Sequence, residues 1–290
     1  MLYESLNHAI RDLFGNERKI IGAQPVSGGD INEAYALSLD DGTAVFMKSN
    51  TASALEGFQA EVAGLQAIEN TNAIRVPKIL GIGLDHGKSF LLMEFIRPKS
   101  RAKDYWETFA TELVNMHHAA TDEAIRFGFH ENNFIGSSRQ LNTPHDTWIS
   151  FFRDCRLAPQ FEMAGACFDS EDRRRIIRLL DHLDDYLIEP ETPSLIHGDL
   201  WAGNVITGTD GKAWLIDPAA YYGHPEADLA MTELFGGFSS EFYAAYKEAL
   251  PLEAGYADRR DLYNLYHLLN HLNLFGSGYL FSVKSILRRY

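Results

Sequence analysis

The sequence of 290 residues predicts an α+β fold with two lobes of unequal size. Strand-like segments and one helical segment occupy residues 1–96, whereas segments with helical periodicity dominate residues 103–290. Between these parts, Arg97-Pro98-Lys99-Ser100 breaks both patterns, and we place an interlobe linker at 97–102. We therefore expect a small N-lobe, made of an antiparallel sheet and one helix, followed by a larger and mainly helical C-lobe.

The N-lobe prediction rests on strand-like segments separated by turn residues. Asp41-Gly42 is a typical hairpin turn and connects two of the predicted strands. A helix is predicted over 53–69, because apolar side chains recur there every three or four residues and Ser53 is available as a cap. The predicted strands cover 19–26, 33–39, 44–48, 79–84 and 89–96.

The C-lobe prediction is a series of amphipathic helices with one interruption. The helices are predicted near 103–120, 144–164, 170–188, 239–249, 258–275 and 279–288. The interruption is a strand-rich island over 194–219, and it contains the highest density of residues that are typical of catalytic sites.

The island contains His197, Asp199 and Asn204 in the spacing H-x-D-x-x-x-x-N. Phosphoryl transfer to a hydroxyl uses a carboxylate beside the incoming oxygen and an Asn five residues later that binds metal, and this spacing matches. A single Asp before a loop is commonly a turn or capping residue. Because Asn204 and a later carboxylate, Asp217, accompany it, we interpret Asp199 as the catalytic carboxylate.

Residues 205–217 predict a β-hairpin with Asp210-Gly211 as a two-residue turn. This register places Asn204 directly opposite Asp217, with the two Cβ atoms roughly 5 Å apart. Amide and carboxylate oxygens are ligands that Mg2+ prefers, together with water and phosphate oxygens. The sequence thus predicts that Asn204 and Asp217 bind Mg2+.

The N-lobe supplies candidate residues for nucleotide binding. Lys48 closes an apolar strand, where it can contact a phosphate group, and Glu61 in the predicted helix can pair with it, although Glu56 lies in the same helix. The loop Ser27-Gly28-Gly29 allows close backbone approach and is interpreted as a cover over the phosphates. Taken alone, the lysine also fits a solvated strand end, and the loop, which is neither a Walker motif nor G-x-G-x-x-G, also fits a plain hairpin turn.

Composition and charge argue against several classes of function. The chain has 40 acidic and 26 basic residues and a formal charge of -14. We therefore expect no binding to nucleic acid or to an anionic membrane, whereas an amine-bearing substrate suits this balance. No segment reaches transmembrane length, and the N-terminus lacks a basic region followed by an apolar run. With Cys155 and Cys167 as the two cysteines, a reduced, cytoplasmic location is expected.

Residues 197–204 and 217–231 resemble the fructosamine kinase (ketosamine-3-kinase) family, which is similar to aminoglycoside phosphotransferases, choline kinases and protein kinases. The His-Gly-Asp core is shared among these relatives, whereas Leu200-Trp201 and the run from Tyr221 to His224 are more particular to the family. Further agreement extends over most of the chain. The resemblance implies a bilobal protein-kinase-like fold.

The resemblance also implies an activity. A member of this family uses ATP and Mg2+ to phosphorylate the sugar O3 of ketosamines, either small molecules or adducts on protein lysines. The product is unstable and releases the amine, which makes the activity a deglycation repair.

The roles that the resemblance implies can be placed residue by residue. Asp199 is the base-like carboxylate, Asn204 and Asp217 hold Mg2+, Lys48 and Glu61 position the phosphates, and the backbone of Glu94 and Ile96 contacts adenine. His197 and Asp228 support the catalytic loop, and Trp201 and His224 line the substrate pocket. For Trp201 and His224, a place in the hydrophobic core is an equal alternative.

Two other functions stay open. A kinase for an aminoglycoside, choline or a related amino alcohol would share these catalytic residues. The other alternative is a catalytically inert nucleotide-binding protein. A protein kinase regulated by loop phosphorylation is not expected, because Gly198 stands between His197 and Asp199 in place of Arg, Pro218 follows Asp217, and an Ala-Pro-Glu segment is absent. The oligomeric state and the preferred sugar and amine do not follow from the sequence.

Overall fold

The structure is a computed structural model that describes residues 2–26, 31–119 and 126–290. These residues form the predicted α+β fold, with a six-stranded sheet in the N-lobe and a C-lobe dominated by helices. The predicted phosphate-covering loop Ser27-Gly28-Gly29 lies outside the described residues.

The N-lobe sheet contains all five predicted strands and one more. Its strands are Leu2–Tyr3 (β1), Ile20–Pro25 (β2), Glu33–Leu39 (β3), Ala44–Thr51 (β4), Ile79–Asp85 (β5) and Lys88–Glu94 (β6). Their spatial order is β1-β5-β6-β4-β3-β2, and the neighbours are antiparallel except β1, which runs parallel to β5. The turn between β3 and β4 ends at Gly42, whose φ of 86° favours glycine.

The prediction of one N-lobe helix is wrong, because the described part of this lobe has two. Leu6–Phe14 (α1) follows Ser5, whose side chain accepts a hydrogen bond from the His8 N–H, and it buries Ala9 and Ile10 against the sheet. Leu55–Asn70 (α2) is the predicted helix. The sequence therefore contained the same signal for α1 as for α2, namely a capping residue followed by apolar residues at helical spacing.

Each helical segment predicted in the C-lobe contains a helix. The helices are Tyr105–His117 (α3), Trp148–Phe152 (α4), Ala158–Met163 (α5), Ser170–Asp181 (α6), Pro225–Leu234 (α7), Ser240–Ala249 (α8), Tyr256–Phe275 (α9) and Leu280–Leu287 (α10). A π-helical turn at Arg153–Leu157 joins α4 to α5, and α7 was not predicted.

The C-lobe also has short strands arranged in three pairs. They are Asn133–Ile135 (β7) with Ser138–Gln140 (β8), Ser194–Ile196 (β9) with Tyr221–Gly223 (β12), and Val205–Thr207 (β10) with Ala213–Leu215 (β11). The last two pairs fall within or directly after the predicted strand-rich island, and they bracket residues 197–204, the predicted catalytic motif.

The chain between β6 and α3 follows the β10–β11 hairpin. The backbone N–H of Lys99 donates to Thr207 O (3.0 Å), and that of Ala102 donates to Gly211 O (3.0 Å). The boundary of the lobes at this linker, 97–102, stays a prediction. No helix in the described ranges is both long and apolar enough to cross a bilayer.

Helix α2 belongs to the N-lobe in sequence but packs into the core of the C-lobe. Its Phe58, Leu65 and Ile68 share one hydrophobic cluster with C-lobe residues such as Phe109, whereas α1 and strands β3 and β4 enclose a separate cluster around Leu37. Burial of each large apolar side chain contributes about 1.5–3 kcal/mol. This packing fixes α2 against the core of the C-lobe.

Candidate active site

A cavity of about 1050 Å3 lies between the two lobes. The predicted residues Lys48 and Glu61 line it from the N-lobe, and Asp199, Asn204 and Asp217 line it from the C-lobe. Residues that are far apart in the sequence thus converge on one concave site, as expected for a binding or catalytic centre.

The predicted catalytic loop, residues 197–204, is held by a buried carboxylate. Both oxygens of Asp228 accept backbone hydrogen bonds, from the N–H of His197 (2.7 Å) and of Gly198 (2.9 Å), and Asp228 also contacts His117 (3.2 Å). Burial alone would raise the pKa of Asp228, but these partners outweigh it and hold that pKa below its usual value. The Nε2 atom of His197 contacts Ile216 O (2.9 Å), so the loop is also held by the residue that follows β11.

The backbone conformation and close packing at Gly198 exclude an arginine side chain at this position of the loop. Its φ is 80°, and a Cβ atom there would lie 2.2 Å from the carbonyl oxygen of Ala219. Any side chain would therefore force the loop away from the segment that follows Asp217.

Asp199 points into the cavity beside Asn204. The Nδ2 group of Asn204 donates to Asp199 O (2.8 Å) and to Asp199 Oδ2 (3.1 Å). Burial raises the pKa of Asp199 to about 7, with Asp217 and Asp228 adding to the shift and the Asn204 hydrogen bond opposing it. A carboxylate with a pKa near neutrality is suited to accept a proton from a substrate hydroxyl.

The predicted register of the β10–β11 hairpin is wrong by one residue. Val205 pairs with Leu215, and Asn204 O accepts a hydrogen bond from Ile216 N–H (3.1 Å), so Asn204 lies opposite Ile216. The cause is the turn: Gly208 N–H donates to Lys212 O (3.0 Å), which leaves a three-residue loop that ends at Gly211 with φ of 74°. Asp210-Gly211 is thus part of a longer turn than predicted.

Asp217 nevertheless lines the same cavity as Asn204, because the chain turns sharply at Asp217. Its φ of 55° lies in the left-handed region, which is unusual for a residue other than glycine. Residues in such conformations concentrate at functional sites. The backbone conformation, rather than direct strand pairing, therefore directs this carboxylate.

Lys48 connects the two lobes through ion pairs. Its Nζ atom lies 2.6 Å from Glu61 Oε1 and 2.5 Å from Asp217 Oδ1. Burial opposes the charged form of Lys48, but the two carboxylates outweigh it and raise the pKa of this lysine. Of the two glutamates considered in α2, Glu61 is the one that pairs with Lys48, while Glu56 lines the cavity without this contact.

Close packing of α2 places Glu61 at this pair. A Cβ atom at Gly64 would lie 3.2 Å from Pro218 Cγ and 3.4 Å from Ala220 Cβ, so glycine lets the helix approach the segment after Asp217. The same contact therefore positions Glu61 and Asp217 on either side of Lys48.

The donor set fits a magnesium site that is completed by a nucleotide. In the described parts of the chain, no group of three or more His, Cys, Asp or Glu side chains is arranged to hold a metal ion. Asn204 uses its Nδ2 group toward Asp199, so Oδ1 is the atom with which its side chain would bind a metal ion, and Asp217 supplies a carboxylate. Mg2+ commonly takes one or two protein oxygens and fills its other positions with phosphates and water.

Glu94 and Ile96 line the cavity where the chain leaves β6. The backbone N–H of Glu94 donates to Lys78 O (2.9 Å), so this group is already used. Contact of Glu94 and Ile96 with adenine stays a prediction.

The two predicted substrate residues have different positions. Trp201 lines the cavity with 39% of its surface exposed, and its ring covers Gly203, where a Cβ atom would lie 2.3 Å from the ring. His224 is instead buried and caps α7, its Nδ1 accepting from the Glu226 N–H (3.1 Å), and it is not among the described residues that line the cavity. The predicted place of His224 in the substrate pocket is therefore wrong, because helix capping and core packing use this side chain.

A buried polar cluster behind the site was not predicted from the sequence. Gln140 donates to Ala219 O (3.0 Å) and Asn133 donates to Ala220 O (2.8 Å), so the β7–β8 hairpin holds the segment after Asp217. Tyr266 of α9 donates to Gln140 Oε1 (2.6 Å). The amide-rich composition between 132 and 142 was the available signal for this cluster.

Comparison with known proteins agrees with this architecture. The family model described as fructosamine kinase matches residues 2–290. A probable ketoamine kinase of Synechocystis is 38% identical over 99% of this chain and 96% of its own length. A chloroplastic protein-ribulosamine 3-kinase of Oryza sativa subsp. indica is 41% identical over 95% of this chain and 80% of its own length.

Solved structures extend the comparison to the fold. A Thermobifida fusca structure assigned to the fructosamine-3-kinases is 33% identical, with a TM-score of 0.84 and coverage of 98% of this chain and 97% of that one. An aminoglycoside phosphotransferase, APH(4)-Ia, has a TM-score of 0.63 at 16% identity over 98% and 96% of the two chains, which supports the shared protein-kinase-like fold alone. The chain belongs to the fructosamine kinase family and is an ATP-dependent phosphotransferase.

Proposed function

We propose that this protein transfers a phosphoryl group from ATP to the sugar O3 hydroxyl of ketosamines, and that the phosphorylated adduct then releases its amine. The observation that carries the proposal is the convergence in one cavity of the Lys48, Glu61 and Asp217 ion pairs with the Asp199 and Asn204 hydrogen bond. Membership of the fructosamine kinase family supports the choice of acceptor, since the rice relative is named a protein-ribulosamine 3-kinase.

In this proposal, Asp199 accepts the proton of the acceptor hydroxyl. Its pKa of about 7 allows it to be ionised at neutral pH and still to take up a proton. Lys48 contacts phosphate oxygens of the nucleotide, while Glu61 keeps the lysine in place. Asn204 and Asp217 hold Mg2+, which supplies charge neutralisation at the transferred phosphoryl group.

The acceptor lies on the C-lobe side of the cavity in this proposal. Trp201 is two residues from Asp199 and partly exposed toward the cavity, so its ring can cover the sugar or the amine. The formal charge of -14 suits an amine-bearing acceptor and argues against a nucleic-acid partner.

A substrate panel tests the proposal. The purified protein is given ATP, Mg2+ and one of four acceptors, the ribulosamine or fructosamine adduct of lysine, kanamycin or choline, and ADP release is recorded. The ketosamines are expected to stimulate turnover most, and greater stimulation by kanamycin or choline would assign the enzyme to another branch of this fold. Asp199→Asn is the matched control, because it should abolish transfer while ATP binding is retained.

We also propose that the protein acts in the cytoplasm. Cys155 is buried and Cys167 is exposed, and both are free thiols, as is typical of a reducing compartment. Fractionation of cells that express the protein would test this, and recovery with extracytoplasmic proteins would contradict it.

A further inference from the structure

His267 of α9 is a buried polar residue that has no part in the roles described above. Its side chain is 5% exposed, and its Nδ1 atom is shielded from solvent. Among the residues that the structure describes, none lies within hydrogen-bond distance of this nitrogen. Such atoms are rare in folded proteins because they destabilise the folded state, and a role in the reaction is one cause of their retention.

The Nδ1 atom of His267 lies beside the carboxylate of Asp199. The distance from Nδ1 to Asp199 Oδ1 is 4.0 Å. The other oxygen, Oδ2, already accepts a hydrogen bond from the Asn204 amide (3.1 Å). The two oxygens of Asp199 therefore have different neighbours, an amide donor at Oδ2 and an imidazole ring near Oδ1.

The ring of His267 is neutral and carries one proton. Burial lowers the pKa of His267 to about 3, with His271 and Arg156 adding to the shift and Asp228 opposing it. A neutral imidazole has one N–H group and one acceptor nitrogen, and a neighbouring carboxylate favours the tautomer whose N–H faces it. His267 can therefore donate from Nδ1 to Asp199 without adding a positive charge to the site.

Helix α7 holds both partners of this contact. Its Asp228 binds the backbone of the loop that contains Asp199, and its Glu226 forms two hydrogen bonds with Arg259 of α9 (2.8 and 2.7 Å). The separation of 4.0 Å exceeds an N–H···O hydrogen bond by about 1 Å. Catalytic hydrogen bonds are often long before ligands bind and shorten in the complex, and a small rotation of the Asp199 carboxylate would close this gap.

We propose that His267 is a positioning residue, which donates a hydrogen bond from Nδ1 to Oδ1 of Asp199 in the nucleotide-bound enzyme and so keeps the carboxylate directed at the acceptor hydroxyl. With Asn204 at Oδ2 and His267 at Oδ1, the carboxylate cannot turn away, and it keeps a lone pair for the proton of the hydroxyl. The inference rests on the proposed function, because it assumes that Asp199 accepts this proton.

Three substitutions at position 267 separate hydrogen bonding from packing. Asn places its amide where histidine has Nδ1, Gln extends its amide to the position of Nε2, and Leu has a similar size without a polar atom. With the ribulosamine adduct of lysine, kcat of His267→Leu and His267→Gln should fall about tenfold to a hundredfold, the range for a hydrogen bond to a charged group. His267→Asn should keep kcat within about threefold, and KM for ATP and for the acceptor should stay within about twofold in all three variants.

Thermal stability distinguishes this role from a purely structural one. Since Nδ1 has no partner among the described residues, His267→Leu should melt at no lower temperature than the unaltered enzyme even though its kcat falls. Asn264→Leu is the matched control, because Asn264 is also buried in α9, its Oδ1 atom has no partner in the described ranges, and it is not among the described residues that line the cavity. Its kcat should be unchanged.

Two kinetic results would overturn the inference. One is an unaltered kcat in His267→Leu, and the other is an equal loss of kcat in His267→Asn and His267→Gln. The second comparison decides the matter even where the Leu variant does not fold.

The hydrogen bond can also be observed without turnover. Proton–nitrogen correlation spectra of the histidine rings are recorded with the ATP analogue AMP-PNP and Mg2+, and the ring of His267 is assigned by its loss in His267→Asn. We expect the Nδ1–H tautomer, with a proton resonance that moves in Asp199→Asn. The Nε2–H tautomer, or a resonance that does not respond to Asp199→Asn, would overturn the inference alone. Absence of turnover with every ketosamine would instead overturn the proposed function, and the spectrum would still decide the contact between His267 and Asp199.

Discussion

Lys48 forms ion pairs with one carboxylate from each lobe. One buried cation lies between Glu61 and Asp217, so the three side chains carry a net negative charge before any ligand binds. The side chain of Asp217 is 37% exposed, whereas that of Glu61 is 12% exposed. Asp217 can therefore turn toward a cation in the cavity while Glu61 continues to hold the lysine.

The separate role of Glu61 can be measured. Glu61→Gln removes the charge that orients Lys48, and kcat/KM for ATP should fall roughly tenfold to a hundredfold, since aligned charged groups at a phosphoryl-transfer site contribute that much. The measurement is steady-state kinetics with ATP as the varied substrate. Glu69→Gln, an exposed glutamate of the same helix, should leave kcat/KM unchanged, and full activity of Glu61→Gln would refute the pairing role.

At the scale of elements, the β7–β8 hairpin acts as a support for the segment after Asp217. Gln140 and Asn133 donate to consecutive backbone carbonyls of this segment, and Tyr266 connects the support to α9. Protein kinases control the corresponding segment by phosphorylation. In this chain a buried hydrogen-bond network holds it in one position.

Breaking this support should reduce activity as well as stability. Gln140→Leu leaves Ala219 O and the Tyr266 hydroxyl without a buried partner, at a cost of about 1–3 kcal/mol for each group. We expect a lower melting temperature and a kcat reduced about tenfold, with little change in KM for the acceptor. Arg139→Ala, on the exposed face of the same strand, is the control and should change neither quantity; a Gln140→Leu enzyme with unaltered kcat would show that the network is not needed for catalysis.

At the scale of the whole molecule, buried histidines make stability depend on pH. Burial lowers the pKa of His224 to about 3, and Arg259 and His117 add to the shift. In the unfolded chain the pKa of His is about 6.5. Protonation between these values favours the unfolded state, so the contribution of His224 is complete above pH 6.5 and is lost as the pH falls toward 3.

The pH dependence can be isolated with one variant. His224→Asn keeps a hydrogen-bond acceptor at the N-cap of α7 but cannot titrate. Between pH 6 and 4, the slope of the unfolding free energy against pH should therefore be smaller in this variant than in the original chain, by about 1.4 kcal/mol per pH unit. Denaturant unfolding at several pH values measures this slope. His86→Asn is the control, because the His86 side chain is 97% exposed and should not alter the slope; identical slopes for His224→Asn and the original chain would contradict the account.

The sequence allowed prediction of the elements whose signal is local. Helical periodicity identified α2, α3 and α9, and the spacing from His197 to Asn204 singled out a segment whose Asp199 and Asn204 line the cavity. The hairpin register failed because Asp-Gly occurs in both two-residue and three-residue turns, and the choice depends on how the strands twist. The β7–β8 hairpin escaped prediction because its role depends on hydrogen bonds to residues that are far away in the sequence.

His224 illustrates the same limit at a single position. The run from Tyr221 to His224 resembles the family, and this resemblance suggested a substrate role for His224. A histidine directly before Pro225 can also cap a helix. Only its burial against Trp148 and Tyr263 distinguishes the two roles.

The position of the phosphate on the product tests the central proposal most directly. The ribulosamine adduct of lysine is incubated with the enzyme, ATP and Mg2+, and the product is examined at once by phosphorus–proton correlation NMR. We predict a correlation between the phosphate and the proton on C3 of the sugar, followed by release of free lysine as that signal decays. A phosphate attached to any other sugar hydroxyl, with the amine still bound, would contradict the proposed function.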